Sequence, residues 1–225
     1  MSFIKHALEK KYPVLYEKLY GQNILKNFSF SVFLPVEKIL SDRYLLTSEF
    51  INVKISSSDV QLLAALYNAF LNSRFYDYNL PINNSFKLVK VSYSNTVKII
   101  SNKVLIKFLS PLIVRDHDKE NNKDIYLDYT SKDFEHKLKA ITENYLNQRG
   151  LEGTIFLIPV KARRTVAKCL NLNLNCSFGL FELIAKPEII QELYLAGIGS
   201  RRSEGFGLFD IIKQDSSAEV VDGQA

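Results

Sequence analysis

The tightest constraint on this chain is the order in which two hydrophobic periods alternate along it. Phe3, Ile4, Ala7 and Leu8 share one face at helical spacing. Tyr12-Pro13 interrupts that run, and Val14, Leu15, Lys18 and Leu19 form a second short turn ending at Gly21. Phe28-Ser-Phe-Ser-Val-Phe-Leu34 then switches to the two-residue alternation of a strand, and residues 44–55 supply parts of two more. Asp59, after a serine run, reads as the N-cap of a helix striped by Val60, Leu62, Leu63, Leu66, Tyr67, Phe70 and Leu71. Beyond a turn at residues 80–84, strands are expected over 86–93 and 97–109.

A second round begins at Ser110-Pro111. Leu112-Ile-Val-Arg115 is strand-like, residues 116–124 form a charged loop, and Ser131 caps a helix carrying Phe134, Leu138, Ile141 and Tyr145 that closes at Gly150. Residues 154–160 and 166–178 are β-rich, Pro187 starts a shorter helix, and residues 206–212 make the last strand. The order is α-β-β-α-β followed by β-α-β-β-α-β. This implies an α+β chain of tandem ferredoxin-like (RRM-like) domains, one over residues 1–109 and one over 110–213. The first lacks its opening strand, which would expose a sheet edge, and the expectation is that coding sequence precedes Met1. Residues 214–225 are polar and acidic and are expected to be a disordered tail.

At 225 residues the chain can build two small cores. It contains no apolar run of the ~18 residues a membrane span needs, and its first residues do not read as a signal peptide. A cytoplasmic protein is expected. Cys169 and Cys176 fit a reducing compartment as apolar fillers of strands, without further ligands for zinc. The net charge is +5, and the tail contributes three carboxylates (Asp215, Glu219 and Asp222) with no basic residue. The folded body is therefore more basic than the whole chain, which favours polyanionic partners.

The most informative segment is Ala196-Gly-Ile-Gly-Ser-Arg-Arg-Ser-Glu-Gly-Phe-Gly-Leu-Phe209. Gly197, Gly199, Gly205 and Gly207 bracket Ser200, Arg201 and Arg202. It is not a dinucleotide-binding turn, because Arg202 stands where the third glycine belongs and the loop leaves a helix to enter a strand. It lacks the Lys-Ser/Thr pair of a Walker loop. Glycines permit close backbone approach, and forked guanidinium donors suit phosphate or guanine. The expected role is a cationic backbone cradle for a ribose-phosphate strand. A second basic group, Lys161, Arg163 and Arg164, falls on an expected β-hairpin and would grip an RNA backbone.

The segment 197–207 resembles the signature glycine-rich loop of the RAMP superfamily of CRISPR proteins. Within that superfamily the chain is similar to the precursor-CRISPR-RNA endoribonucleases, the Cas6 family. Three further segments agree in order and spacing: Leu19-Tyr-Gly21 through Lys26-Asn-Phe-Ser-Phe-Ser31, Ser110-Pro-Leu-Ile-Val114, and the helix before Gly197. The resemblance spans about residues 1–212. It implies two ferredoxin-like domains and cleavage of CRISPR repeat RNA without a metal or cofactor. The 2′-hydroxyl attacks its own phosphate, leaving a 2′,3′-cyclic phosphate (or 3′-phosphate) and a 5′-hydroxyl.

Such chemistry needs a base for the 2′-hydroxyl, charge for the phosphorane and an acid for the 5′-oxygen. Where many members of the family carry a histidine and, six residues later, a lysine, this sequence has Tyr20 and Lys26. Lys26 fits a phosphate-stabilising cation, whereas a tyrosine with an ordinary pKa of ~10 is a poor base at neutral pH. The resemblance then points to His6, beside Lys5, as general base. His136 reads as structural or surface, and His117, between Asp116 and Asp118, as part of a solvated turn. The alternative is a non-catalytic CRISPR-RNA-binding subunit of an effector complex. Other subunits of such a complex and a second copy of the chain in a homodimer are further expected partners.

Overall fold

A computed structural model describes residues 2–22, 24–40, 43–80, 84–118, 121–169 and 172–214. The expected tail, apart from Gln214, lies outside the described residues, as does most of the turn at 80–84. The chain runs α1 (Ser2–Lys11), α2 (Pro13–Tyr20), β1 (Phe28–Phe33), β2 (Val36–Ile39), β3 (Tyr44–Leu46), β4 (Asn52–Ser57), α3 (Val60–Asn72), β5 (Asp77–Leu80) and β6 (Asn84–Lys87). It continues through β7 (Lys103–Phe108), β8 (Val114–Asp118), β9 (Lys123–Leu127), α4 (Phe134–Gln148), β10 (Phe156–Cys169), β11 (Leu172–Ile184), α5 (Pro187–Ala196) and β12 (Phe209–Gln214). Among the described residues no helix is long and apolar enough to cross a membrane.

The second half is organised by β7. Its side chains alternate, burying Val104, Ile106 and Phe108, so one face is apolar and must be covered. The sheet order is β10-β11-β7-β12, with every pair antiparallel. With α4 and α5 as the two crossovers, this is the split βαβ arrangement. Phe134, Leu138, Tyr145 and Leu146 from α4 join Ile189, Ile190 and Leu193 from α5 in the core that also holds Phe108, Phe181 and Phe209.

This topology corrects the expected division at 109/110. Residues 103–108 do not close the first half; they form a central strand of the second sheet. Residues 112–115 do not open that sheet either, because β8 pairs only with β9 apart from a single bridge from Leu112 to Ser177. The reason is chemical. β7 has three fully apolar positions at period two, whereas Arg115, Asp116, His117 and Asp118 give β8 no apolar face to bury, so it projects as a charged hairpin.

In the first half, Asp59 caps α3 as expected, its carboxylate accepting from the Leu62 N–H at 3.0 Å. The α1 stripe (Ile4, Ala7, Leu8) packs with Leu62, Leu66 and Ala69 of α3 and with Phe28 and Phe30 of β1. β1 pairs antiparallel with β4, and this ladder has two strands among the described residues. The strand expected over 86–93 is replaced by the short hairpin β5–β6 and by residues without regular structure.

β1 is buried on both faces over its first four residues. Phe28 and Phe30 enter the first core. The serines between them face the second half: Ser29 Oγ donates to Phe206 O at 2.6 Å and Ser31 Oγ to Leu109 O at 2.7 Å. Lys54 of β4 adds an ion pair to Asp210 of β12 at 2.7 Å. The small polar residues of this strand thus mark the contact between the halves, a surface where buried hydroxyls find backbone partners.

Candidate nucleic-acid interface

The glycine-rich loop packs where the halves meet. Its four glycines have positive φ, and each lies against backbone or a side chain that a Cβ would strike. At Gly207 an added Cβ would sit 1.9 Å from Ile198 O, and at Gly205 it would meet the Phe30 ring at 2.8 Å. The loop leans on the segment after β7: Gly207 N–H donates to Pro111 O, Ser200 N–H to Ile113 O, and Leu208 N–H to Ser110 Oγ. Gly197, Ile198, Glu204 and Gly205 N–H groups also end on protein carbonyls. The expected backbone cradle is therefore corrected in part. These N–H groups hold the loop's own shape and are not presented to a phosphate chain.

The two arginines diverge. Arg202 is 7% exposed. Its guanidinium lies 3.7 Å from the centroid of the Tyr145 ring and donates to Gly197 O and to Lys26 O. It clamps the loop to the first half, so the expectation of a free phosphate fork does not hold for it. Tyr145, its stacking partner, donates to Glu192, which also accepts from Ser58 and Arg149. Burial, with the Glu192 hydrogen bond, pushes the Tyr145 hydroxyl up to about 12. Arg201 adopts the left-handed backbone (φ 56°) and donates to Glu204 at 2.8 Å and to the Tyr126 hydroxyl at 2.8 Å. Its Nε is buried without a partner.

Beside the loop is a cavity of about 380 Å³, lined by Lys26 from the first half and by Arg115, His117, Asn144, Tyr145, Arg201 and Arg202 from the second, with Glu204 the acidic residue in its wall. Lys5 and Lys26 both sit over the Tyr20 ring, their Nζ atoms 4.6 and 5.2 Å from its centroid. Burial, then the neighbouring Lys5 charge, lowers the Lys26 pKa, with Glu204 opposing. The Tyr20 hydroxyl is buried and unpaired, and burial followed by Tyr16 pushes it up to about 12. It is not a base at neutral pH, as its residue type suggested.

Other expected site residues lie elsewhere. His6, exposed on α1, makes its ring contact with Tyr78 of β5 at 5.7 Å and is not in the cavity wall. The structure therefore brings Lys5, Tyr20 and Lys26 together and leaves His6 apart. Lys161, Arg163 and Arg164 are exposed on β10, outside that cavity. Arg164 donates to Asp128 at 3.0 Å and Arg163 lies 5.2 Å from the Phe178 ring.

Sequence reading missed Arg115, Asn144 and the place of His117. A signal existed for two of them. Residues 115 and 117 are i and i+2 on a strand, so they share a face, and the hairpin register sets His117 opposite Asp124.

The family of CRISPR-associated Cas6 proteins, C-terminal region, matches residues 93–211. A Cas6-related protein from Pyrococcus furiosus superposes with a TM-score of 0.82 at 19% identity, covering 95% of this chain and 89% of that one. A RAMP protein that binds different RNA substrates gives a TM-score of 0.79 at 23% identity, with 94% and 89% covered. A CRISPR-associated Cas6 protein gives 0.75 at 18%, with the same coverage. Curated protein sequences give no match. With the family match covering more than half of the sequence and the fold shared end to end, the chain belongs to the Cas6 family of CRISPR-associated RAMP proteins.

Proposed function

We propose that this protein is a metal-independent endoribonuclease that cuts CRISPR repeat RNA in the cytoplasm, releasing a 2′,3′-cyclic phosphate (or 3′-phosphate) and a 5′-hydroxyl. The observation that carries the reading is the cavity at the junction of the halves, where Lys26, Arg115 and Arg201 converge from three segments on a wall with one carboxylate, Glu204. A pocket of that charge focuses potential on a polyanion. Lys26 is the cation for the scissile phosphate. Its partial burial removes water that would otherwise screen it, and its ammonium supplies a proton for the departing 5′-oxygen. Tyr20 positions Lys26 by offering its ring to the ammonium.

Lys161 and Arg163, exposed on the long β10–β11 hairpin, give the RNA backbone a second, sequence-independent grip. The deciding experiment incubates the protein with repeat RNA in EDTA and repeats it with a 2′-deoxy sugar at the cut. Cleavage that survives the chelator and stops with the deoxy sugar is the expected result; cleavage that needs added metal would refute the reading.

A binding-only subunit is the second reading, and one observation favours it. The position matching the family's frequent histidine holds Tyr20, with its hydroxyl buried, unpaired and pushed up to about 12. Tight, salt-sensitive binding of repeat RNA without strand scission would establish it.

A further inference from the structure

The hairpin β8–β9 supplies an acid–base group to the same cavity. We propose that His117, held by Asp124, is the catalytic residue that takes the 2′-hydroxyl proton; this rests on the endoribonuclease reading above.

His117 lines the cavity together with Lys26, Arg115 and Arg201, so it faces the cations to which an RNA phosphate would be drawn. Its Nδ1 is 2.8 Å from Asp124 Oδ1, across the hairpin register. That carboxylate has further support. Arg115 Nε donates to the same oxygen at 2.9 Å, and the Tyr126 hydroxyl donates to Oδ2 at 3.3 Å. Burial works against the Asp124 charge, but the His117 hydrogen bond, Arg115 and Tyr126 together hold its carboxyl below the usual range. An ionised carboxylate only accepts, so the proton of this contact belongs to Nδ1, and in the neutral ring Nε2 is left with a free lone pair. The imidazole is thereby oriented and kept in one tautomer by a carboxylate behind it, the arrangement that makes histidine an effective base.

Tyr126 continues the chain inward, since its hydroxyl accepts from Arg201 Nη2 at 2.8 Å. The strand carrying the histidine is therefore tied to the glycine-rich loop through Asp124, Tyr126 and Arg201. Ser200 adds a second tie, its Oγ accepting from Arg115 N–H at 3.2 Å. Asp116, the preceding residue, is engaged by Lys137 of α4 at 2.7 Å, and Asp118 accepts from Asn121. The carboxylates on either side of His117 are thus turned to other partners, and Asp124 is the one that holds the ring.

In the step, the 2′-oxygen forms its bond to phosphorus as its proton passes to His117 Nε2. The bond from phosphorus to O5′ breaks with its electron pair on O5′, which takes a proton from the Lys26 ammonium. The products are the cyclic phosphate and the 5′-hydroxyl. Imidazolium and lysine amine then re-equilibrate through water, so no proton is gained or lost overall. The charged groups around the ring are Asp124, Arg115, Lys137 with Asp116, Lys26 across the cavity, and Arg201 with Glu204 in the loop.

Single-turnover cleavage of repeat RNA in EDTA tests this with His117→Ala, His117→Gln and Asp124→Asn. Positioned general bases contribute about 10²–10⁴-fold. The expected losses are about a hundredfold or more for both His117 variants and about tenfold for Asp124→Asn, with RNA affinity within about twofold of the unmodified protein. The falling acid side of the pH–rate profile should vanish in His117→Ala, and added imidazole should restore part of the rate. His117 is exposed on its strand, so its variants keep the fold. If the unmodified protein cuts and His117→Ala cuts within about threefold of it, this role is wrong while the nuclease stands. If the unmodified protein binds but never cuts, the endoribonuclease reading and this role of His117 fall together.

Discussion

Two segments that hydrogen-bond to each other line the cavity, and they are built on opposite plans. The loop at 197–207 is closed on itself. Its glycines are in close contact with backbone or side chains, six of its N–H groups end on protein carbonyls, and one of its arginines is buried against Tyr145. The β8–β9 hairpin is open, with its charged side chains outward and one apolar residue, Val114, fully buried at its base. The segment with the strongest sequence signature is therefore mostly scaffold, and the segment that looks like an ordinary charged turn presents the titratable group. A packed loop and an accessible hairpin obey different constraints: at its glycines the first has no room for an added carbon.

The sharpest way to break this contrast is to add one carbon to the loop. Gly207→Ala places a Cβ 1.9 Å from Ile198 O at a φ of +72°, a clash with backbone that cannot rotate away. Overpacking and the left-handed conformation together should destabilise the protein by about 3 kcal/mol or more, read as a shift in the urea midpoint. A change below about 0.5 kcal/mol would mean that the loop is as adaptable as the hairpin.

Next in size is Arg202→Ala. The variant leaves the Gly197 and Lys26 carbonyls without a donor and removes the stack on Tyr145. A loss of about 2–3 kcal/mol in unfolding free energy is expected, accompanied by weaker coupling of the two halves. Were Arg202 instead a phosphate ligand, the variant would lower RNA affinity and its salt dependence while leaving stability unchanged.

Lys26→Ala separates chemistry from scaffold. The side chain lines the cavity and is half-buried, so its removal should cost little stability. Its effect should fall on single-turnover cleavage, by about a hundredfold, the loss typical of one group that stabilises transition-state charge. An unchanged rate with intact RNA binding would remove Lys26 from the site.

Much of this architecture could be read in advance, and the failures share a cause. The stripes of α1 and α3, the Asp59 cap, Pro187 at the start of α5 and the tight glycine loop are local features whose evidence lies within a few residues. The alternation of β7 says that it is buried on one face and does not say which helices cover it, so the sequence alone places it in the wrong half. Arg202 reads from sequence as a cation beside a glycine. Its burial depends on Tyr145 and on the Lys26 carbonyl, 57 and 176 positions away. The serines of β1 show the same limit: their alternation announced a strand, while the partner of the polar face, residues 109 and 206, was a matter of tertiary packing. Position along a chain predicts period and capping; it does not predict which distant backbone group a buried donor will meet.

His6 is the smallest expected effect and the cleanest separator of sequence analogy from placement. Its position next to Lys5 suggested a base, because Lys5 does reach the Tyr20 ring. On a helix, however, neighbours in sequence point about 100° apart, and α1 uses that angle. Lys5 turns toward Tyr20 and Lys26, whereas His6 turns toward Tyr78, where its ring lies among the aromatics of the β5–β6 hairpin. His6→Ala should change the cleavage rate by less than about twofold and stability by less than about 0.5 kcal/mol, as for an exposed residue away from any network. A loss of a hundredfold would instead move the base from the second half of the molecule to the first.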